Sequence, residues 1–535
     1  MTIPTNLFMW ILAFLPIIVL LLLMIGFQWG ATEAAPIGLL ITAITGIVFY
    51  KADLKLIATE SAKGMWSAVS ILLVVWTAIL MYQVGEEVKA FLVIRNGMRK
   101  LLPNELLLII AMGWIFESFL QGITGFGVPV AVGAPLLIGI GVSPLWAVII
   151  PLLGQAWGNT FGTLAAAWDA LAMSAGIPVG SEHYFLTAFW TALFLLFWNI
   201  VTGFAICWFY GKGKAIKKGL FAVLLMAAVQ GGGELILSQV NTTLACFIPS
   251  CISMLLILVI GRMGTYKEEW SIEDSPIMNR DFSEKKEESA PQGMSLLQAF
   301  IPYIVLSAIT LAVLLIKPAN EFLGQFSFGP SFPETVTGYG VVNKAAQKYA
   351  PLALFTHAGL FLLISSIWGM IYYHKKGWMK EGGLKRVFVK SVAMTVPSGI
   401  AVIGLIIMSK IMSGTGQTIV LANGISAVLG KAYVIFAPFV GLLGTFMTGS
   451  NMSSNILFGD FQITTSNMLE VNSAAVLGAQ STGGAIGSAV SPSKIILGTT
   501  TAQILGSEGS VMKKLLVVTV PVTLLIGLVV FLLVI

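Results

Sequence analysis

The sequence predicts an all-α polytopic membrane protein of about 12–14 transmembrane helices, in two related halves that each contain a broken or re-entrant helical hairpin. Three observations predict it. Of the 535 residues, 57% are hydrophobic and 10% charged, and the mean hydropathy is +0.91, whereas a soluble domain carries about 25% charged residues. Apolar runs of about 20 residues, the length that crosses a bilayer, recur from end to end. Two polar interruptions of those runs match each other across the middle of the chain.

Taken in order, the first run is Leu7–Phe27. No Lys or Arg precedes it, and it exceeds the roughly 7–15 apolar residues of a secretory signal, so it predicts a retained span. Further candidate spans are 33–50, 65–84, 105–121, 144–167, 184–210, 219–238, 242–261, 297–316, 351–373, 389–409, 431–447, 473–490 and 513–535. Shorter apolar pieces lie at 128–141, 411–430 and 456–470. Residues 88–102 carry Lys89, Arg95, Arg99 and Lys100 among apolar residues, which predicts an interfacial amphipathic helix.

Loop charge sets the orientation. Lys212, Lys214, Lys217 and Lys218 crowd one short loop, and Lys375, Lys376, Lys380, Lys385, Arg386 and Lys390 another. Two spans separate each from the segment 263–296, so all three fall on one side, the cytoplasmic side by the positive-inside rule. The side on which the N-terminus and Lys51, Lys55 and Lys63 lie stays open. Segment 263–296 holds 8 acids and 4 bases and reads as an acidic, flexible cytoplasmic linker. It divides the chain into membrane halves 1–262 and 297–535. The net charge of +6 follows from basic loops and needs no nucleic-acid partner. Cys207, Cys246 and Cys251 lie in apolar runs, with no disulfide or CxxC spacing.

The halves share a pattern. Gln155-x2-Gly158-x3-Gly162 recurs 325 residues later as Gln480-x2-Gly483-x3-Gly487, and Phe119-x2-Gly122 recurs 327 later as Phe446-x2-Gly449. Each half therefore has a signature break (119–131, 446–457) followed by a Gly-rich span (151–168, 476–494). Lipid cannot hydrogen-bond backbone groups, so irregular backbone at membrane depth survives only inside protein or beside a wet cavity. Broken spans at matching places point to a transporter's binding site, and half-helix N-termini favour carboxylates. Candidate substrate-binding residues are Gln121, Gly122, Thr124, Gly125 and Gly127 in the first break. In the second they are Gly449, Ser450, Asn451, Ser453, Ser454 and Asn455. The Gly-rich spans add Gln155, Asn159, Gln480, Ser481, Thr482, Ser491 and Lys494. No GxSxG, HExxH, CxxC or Walker A signature occurs, which argues against a membrane enzyme or an ATP-driven pump, and no cofactor or metal is expected. A passive anion channel is the remaining rival class.

The segment Phe119-Leu-Gln-Gly-Ile-Thr-Gly-Phe-Gly-Val-Pro-Val-Ala131 resembles the lactate permease family. Leu443-Gly-Thr-Phe-Met-Thr-Gly-Ser-Asn-Met-Ser-Ser-Asn-Ile-Leu457 and Ser481-Thr-Gly-Gly-Ala-Ile-Gly-Ser-Ala-Val-Ser-Pro492 agree in order and spacing. The family pattern has Glu at Gln121, Asp at Asn451 and Lys at Ser488, so three signature charges are absent here. Glu117, Asp460 and Lys494 stand nearby as relocated charges. The resemblance implies secondary active transport of small monocarboxylates, lactate and glycolate among them, with a proton, in the bacterial plasma membrane. Sodium-coupled or passive transport of another small organic anion is the alternative. It also implies two inverted repeats with facing re-entrant tips, and an elevator slide as one means of alternating access. The expected partners are the organic anion, the proton and membrane lipid, with a homodimer among the assemblies left open.

Physics favours the proton. Moving a monocarboxylate against an inside-negative potential costs about 2.3 kcal/mol per 100 mV. One accompanying proton cancels that cost, and each pH unit then supplies about 1.36 kcal/mol. The coupling candidates are Glu117, Asp460 and Asp169.

Overall fold

The computed structural model describes residues 3–27, 29–125, 127–279 and 290–534. Polar caps start many of the helices, each accepting a backbone N–H that the first turn leaves free. Helix α1 (Leu7–Leu21) is capped by Asn6, α2 spans Ala31–Val48, and α3 (Leu54–Glu87) is capped by Asp53, whose carboxylate accepts from Leu56 N at 2.7 Å. Helix α4 (Ala90–Leu101) buries Phe91, Ile94 and Met98 and exposes Arg99 and Lys100, the amphipathic pattern expected of 88–102. Asn104 opens α5 (Glu105–Ile123, with one π turn at Ala111–Ile115), its side chain accepting from Leu107 N at 3.0 Å.

Gly127 leads into α6 (Val128–Ile138), which packs back on α5. Then follow α7 (Pro144–Ala156) and α8 (Gly162–Ser174), two pieces of one interrupted path, and α9 (Glu182–Ala227), bent at Gly211 and Lys212. A π turn (Ala228–Gly232), a short helix (Gly233–Leu237) and α10 (Phe247–Ile260) complete the first half. The second half runs through α11 (Ile301–Leu315), α12 (Ala358–Lys375), α13 (Gly383–Thr415) and α14 (Gln417–Leu429). It ends with α15 (Tyr433–Thr448), α16 (Asn451–Met468), α17 (Ser473–Gly487), α18 (Pro492–Thr501) and α19 (Glu508–Val534). Two small two-stranded ribbons lie in the connection before α12, pairing Ser327–Phe328 with Leu352–Ala353 and Thr335–Val336 with Val342–Asn343.

Among the described residues nine helices are long and apolar enough to cross a membrane, ten if Ile301–Leu315 and the bent Lys317–Gly324 count as one. That is fewer than the twelve to fourteen expected. Runs 184–210 and 219–238 form the path Glu182–Leu237, which doubles back at Gly211 and Lys212 so that Gly231 meets Leu196 and Gln239 bonds Phe185 O. Each run is a leg of its own, and run 144–167 is divided between the short helices α7 and α8. A chain interrupted at membrane depth yields apolar runs without full-length helices.

Two bodies follow from the packing. In one, α3 lies along α13 and α12, and α13 along α2. In the other, α15, α16 and α17 pack together and α17 lies along α9, with α8 against α16. The second body holds both hairpins. The first leg of α9 (182–210), about 42 Å long at 1.5 Å per residue, serves as a ruler. At one end, Tyr210 donates to Glu105 Oε1, and its carbonyl accepts from Ser275 Oγ. Trp270 O accepts from Glu105 N, while Val142 pairs with Met278. The hairpin α5–α6 thus opens toward segment 270–279. At the other end, His183 bonds Ser473, just past the end of α16. The hairpin α15–α16 therefore enters from the opposite side. The Arg386–Glu87 ion pair places the end of α3 beside the basic loop, and the Tyr50 hydroxyl on Met9 O places α1's start at the far end. Lys51 stacks on Tyr339 just before the start of α3, at the end opposite Glu87.

In segment 263–296, Tyr266, Ser275 and Ile277 are buried among mostly exposed neighbours, and the backbone of Trp270, Ile277 and Asn279 bonds Glu105, Ser143 and Gly141 at the open ends of α5 and α6. Apolar side chains within the acidic run account for this. Residues 280–289 lie outside the described residues. Asn104→Ala removes the cap where α5 meets this segment, and a loss of about 1 kcal/mol is expected. Thermal unfolding in detergent checks it, and an unchanged midpoint rules out the capping role.

Candidate functional site

The hairpin tips meet at the two helix interruptions. Gly449 (φ +75°) turns α15 into α16, and Gly127 (φ +87°) precedes α6; few residues other than glycine adopt these left-handed conformations cheaply. Between α7 and α8 the chain makes a short 3-10 turn, Trp157–Asn159, and then a left-handed turn at Thr163, Leu164 and Ala165 (φ +49°, +50° and +70°). Three successive non-glycine residues in that region cost roughly 1–2 kcal/mol each. Trp168 N on Thr160 O and Ala165 N on Phe161 O hold the turn. Strain of this kind concentrates where a ligand is held.

These elements surround a small, half-open cavity of about 30 Å³. Gln121, Gly125, Asn159, Gly449, Ser450, Asn451 and Lys494 line it, with Gly162, Thr163, Ala166, Ala167 and Met452. Residues from both halves thus share one chamber. Lys494 is 4% exposed, and its ammonium donates to Asn159 Oδ1 at 3.3 Å. Among the described residues no carboxylate pairs with it. Lys494 sits in the first turn of α18, where the helix dipole already carries positive potential. Ser450, Asn451 and Met452, the N-terminal end of α16, also face the chamber, and Gly127 at the start of α6 abuts Leu497 of α18. A buried cation beside helix N-termini, with no acid among the described residues to balance it, can attract an anion.

Around the cation lies a framework of neutral donors and acceptors. Asn159 donates to Ser488 Oγ at 2.7 Å, and Asn451 donates to Thr160 Oγ1 at 3.0 Å. Thr160 and Ser481 share a hydrogen bond of 3.0 Å, and Asn455 donates to Ser481 Oγ at 2.9 Å. Gln121 Oε1 and Asn451 Oδ1 are buried and have no hydrogen-bond partner. Both retain unused acceptor capacity, with Asn451 Oδ1 packed against Gly484 of α17. A neighbouring cavity shares Gly449, Ser450 and Lys494, includes Ser453, and continues to Thr32, Pro397 and Ser398 of the other body. The chamber therefore borders the seam between the two bodies.

Several candidates lie outside this lining. Gly122 packs its backbone against Phe247, and Thr124 bonds its own helix at Leu120 O. Gln155 is buried without partners, away from the chamber lining. Gln480 and Ser454 belong to a packing network with Gln462, and Thr482 bonds Gly478 O. Ser491 pairs with Ser493 behind Gly449. Glu117 is fully buried against Gly133, and neither carboxyl oxygen has a partner. Asp460 faces Ser413 and Thr418 near Lys410, while Asp169 is exposed in a separate cavity with Trp66, Ser70 and His357. Helical periodicity explains these departures: every second or third residue of a Gly-rich helix faces a neighbouring helix rather than the ligand. Thr163, Ala166, Ala167 and Met452 went unnoticed, since small and apolar residues carry no signal before the left-handed turn is known.

Residues 9–535 match the protein-family model described as L-lactate permease. The chain is 27% identical over 463 residues to the L-lactate permease of Streptococcus iniae, which covers 86% of this chain and 92% of that protein. It is 25% identical over 543 residues to the L-lactate permease of Escherichia coli K12 (94% and 92%). To the glycolate permease GlcA of the same strain it is 24% identical over 537 residues (94% and 91%). Among solved structures it resembles the Alcanivorax borkumensis YdaH transporter at 12% identity and TM-score 0.41, covering 87% and 86%.

Proposed function

The chain belongs to the L-lactate permease family, and on that premise we propose that it carries lactate, glycolate or a related 2-hydroxy monocarboxylate across the cell membrane together with a proton. The observation that carries this reading is Lys494, buried and unbalanced by any acid at the meeting point of the two hairpins. A small carboxylate supplies the missing charge. The unpartnered Gln121 Oε1 accepts the single proton of the 2-hydroxyl. A site built this way discriminates against analogues that lack the hydroxyl, because its buried acceptor is then left unpaired. Movement of the body that holds both hairpins against the body built on α3 and α13 then exposes the chamber alternately to each side. The seam at Gly449–Ser450 and Pro397–Ser398 lies along that path.

A substrate panel on purified protein in liposomes tests the reading. Lactate and glycolate uptake is expected to exceed propionate uptake, and to persist when external sodium is replaced. Equal uptake of propionate, or strict sodium dependence, sinks it.

Glu117 is the coupling group of this proposal, because it sits one turn before Gln121 with no hydrogen-bond partner of its own. Glu117→Gln is expected to keep downhill exchange. Accumulation should fall from about tenfold per imposed pH unit toward one. Accumulation at the wild-type level excludes Glu117.

A further inference from the structure

We propose that Glu234 is a second proton-binding group of the transport cycle, coupled to the site through Cys246 and the packing of α10 on the helix that carries Glu117 and Gln121. The inference rests on the proton-coupled reading above and deepens it.

Glu234 lies in the short helix Gly233–Leu237, is fully buried, and has no hydrogen-bond partner at either carboxyl oxygen. A carboxyl in that position is costly inside a membrane, and such groups mark proton and ion pathways. Its surroundings are ordered for it. Gly231 brings the preceding π turn against the backbone of Leu196, and Gly233 lets the segment close on Pro249 of α10. Among the described residues, Cys246 is the titratable group within electrostatic reach, and no Lys or Arg faces Glu234.

The route to the site runs through α10. Gly233, beside Glu234, packs on Pro249 of α10, and Cys246 just before that helix lies within electrostatic reach of Glu234. Cys246 and Gln121 flank Gly158, and the backbone of Phe247 packs on Gly122. A change of charge at Glu234 therefore falls on groups that touch the chamber lining. A separate hydrogen-bonded set, Gln230 with Ser253 and Asn199, and Asn199 with Trp114, packs beside this region without bonding either carboxyl.

Two measurements on the full-length protein in liposomes test this. Glu234→Gln is expected to retain lactate exchange at equal pH and to lose pH-driven accumulation. Glu234→Asp, which keeps an ionisable group, should restore accumulation. The double variant Glu117→Gln/Glu234→Gln should behave like either single variant, as groups acting as one unit do. Infrared difference spectra should show a protonated-carboxyl band that responds to lactate and is absent from Glu234→Gln. Wild-type accumulation by Glu234→Gln, or an unaltered carboxyl spectrum, overturns the proposal. So does loss of exchange in both Glu234→Gln and Glu234→Asp, which marks a packing residue. If Glu117→Gln accumulates normally while Glu234→Gln does not, the assignment of Glu117 fails and this one stands. If wild-type protein shows no pH-driven accumulation, the coupling reading fails, and the infrared band still decides whether Glu234 binds a proton that responds to lactate.

Discussion

Lys494→Gln is expected to abolish uptake at physiological substrate concentration. Among the described residues the ammonium is the one cation lining the chamber, and its hydrogen bond runs to the neutral amide of Asn159 rather than to an acid. A charged hydrogen bond to a buried carboxylate is worth about 1.5–3 kcal/mol, which corresponds to roughly 10–150-fold in affinity. The helix N-termini that remain bind an anion more weakly and without a fixed direction. Lys494→Arg is expected to rescue little. The planar guanidinium needs room that a 4%-exposed side chain wedged between Gly127 and Asn159 does not have. Half-saturation for lactate, with thermal stability measured alongside, checks both variants. Wild-type affinity in Lys494→Gln removes the anion site from this chamber.

Parts of this arrangement are legible in the sequence because they break a strong local rule. Glycine, asparagine and serine at membrane depth contradict the apolar pattern on either side, so the breaks at 119–131 and 446–457 stand out. The structure puts Gln121 and Asn451, one from each, on one chamber wall. Lys494 is legible for the same reason. Where the pattern looks ordinary, nothing flags the function. Glu234 sits in a run that reads as a plain span, and only the rule that intramembrane acids are costly singles it out. The left-handed turn at Thr163–Ala165 is set by long-range packing, and no residue type there announces a positive φ. Residues 263–279 read as loop by charge, yet Ile277 and Tyr266 anchor them, because two apolar side chains outweigh exposed charges that remain solvated. Asp169 and Asp460 share the chemistry of Glu117, but their positions at other cavities and contacts depend on helix rotation, which short Gly-rich helices specify weakly.

Gly162→Ala is expected to stop transport while leaving the protein folded. Gly162 begins α8 where the interrupted path passes the tip of the first hairpin. A Cβ there would collide with the backbone carbonyl oxygen of Gln121, and would also lie 3.1 Å from its carbonyl carbon and 3.2 Å from its Nε2. Backbone cannot rotate out of the way as a side chain can, so either the hairpin tip or the left-handed turn must move. Overpacking of this kind costs typically 1–3 kcal/mol, a sum that a large membrane bundle can survive. The chamber cannot accommodate it as easily, because Gln121, Gly162 and Thr163 all line its wall and an ångström of displacement changes every contact with a small anion. Gly509→Ala is the matched control. It sits in the first turn of α19 with nothing within 4 Å, so the added methyl meets open space. Uptake should be lost in the first variant and kept in the second, at similar thermal stability. Transport by Gly162→Ala at the wild-type rate would mean that the hairpin tip and the interrupted helix need not touch, and the chamber described here would lose its wall.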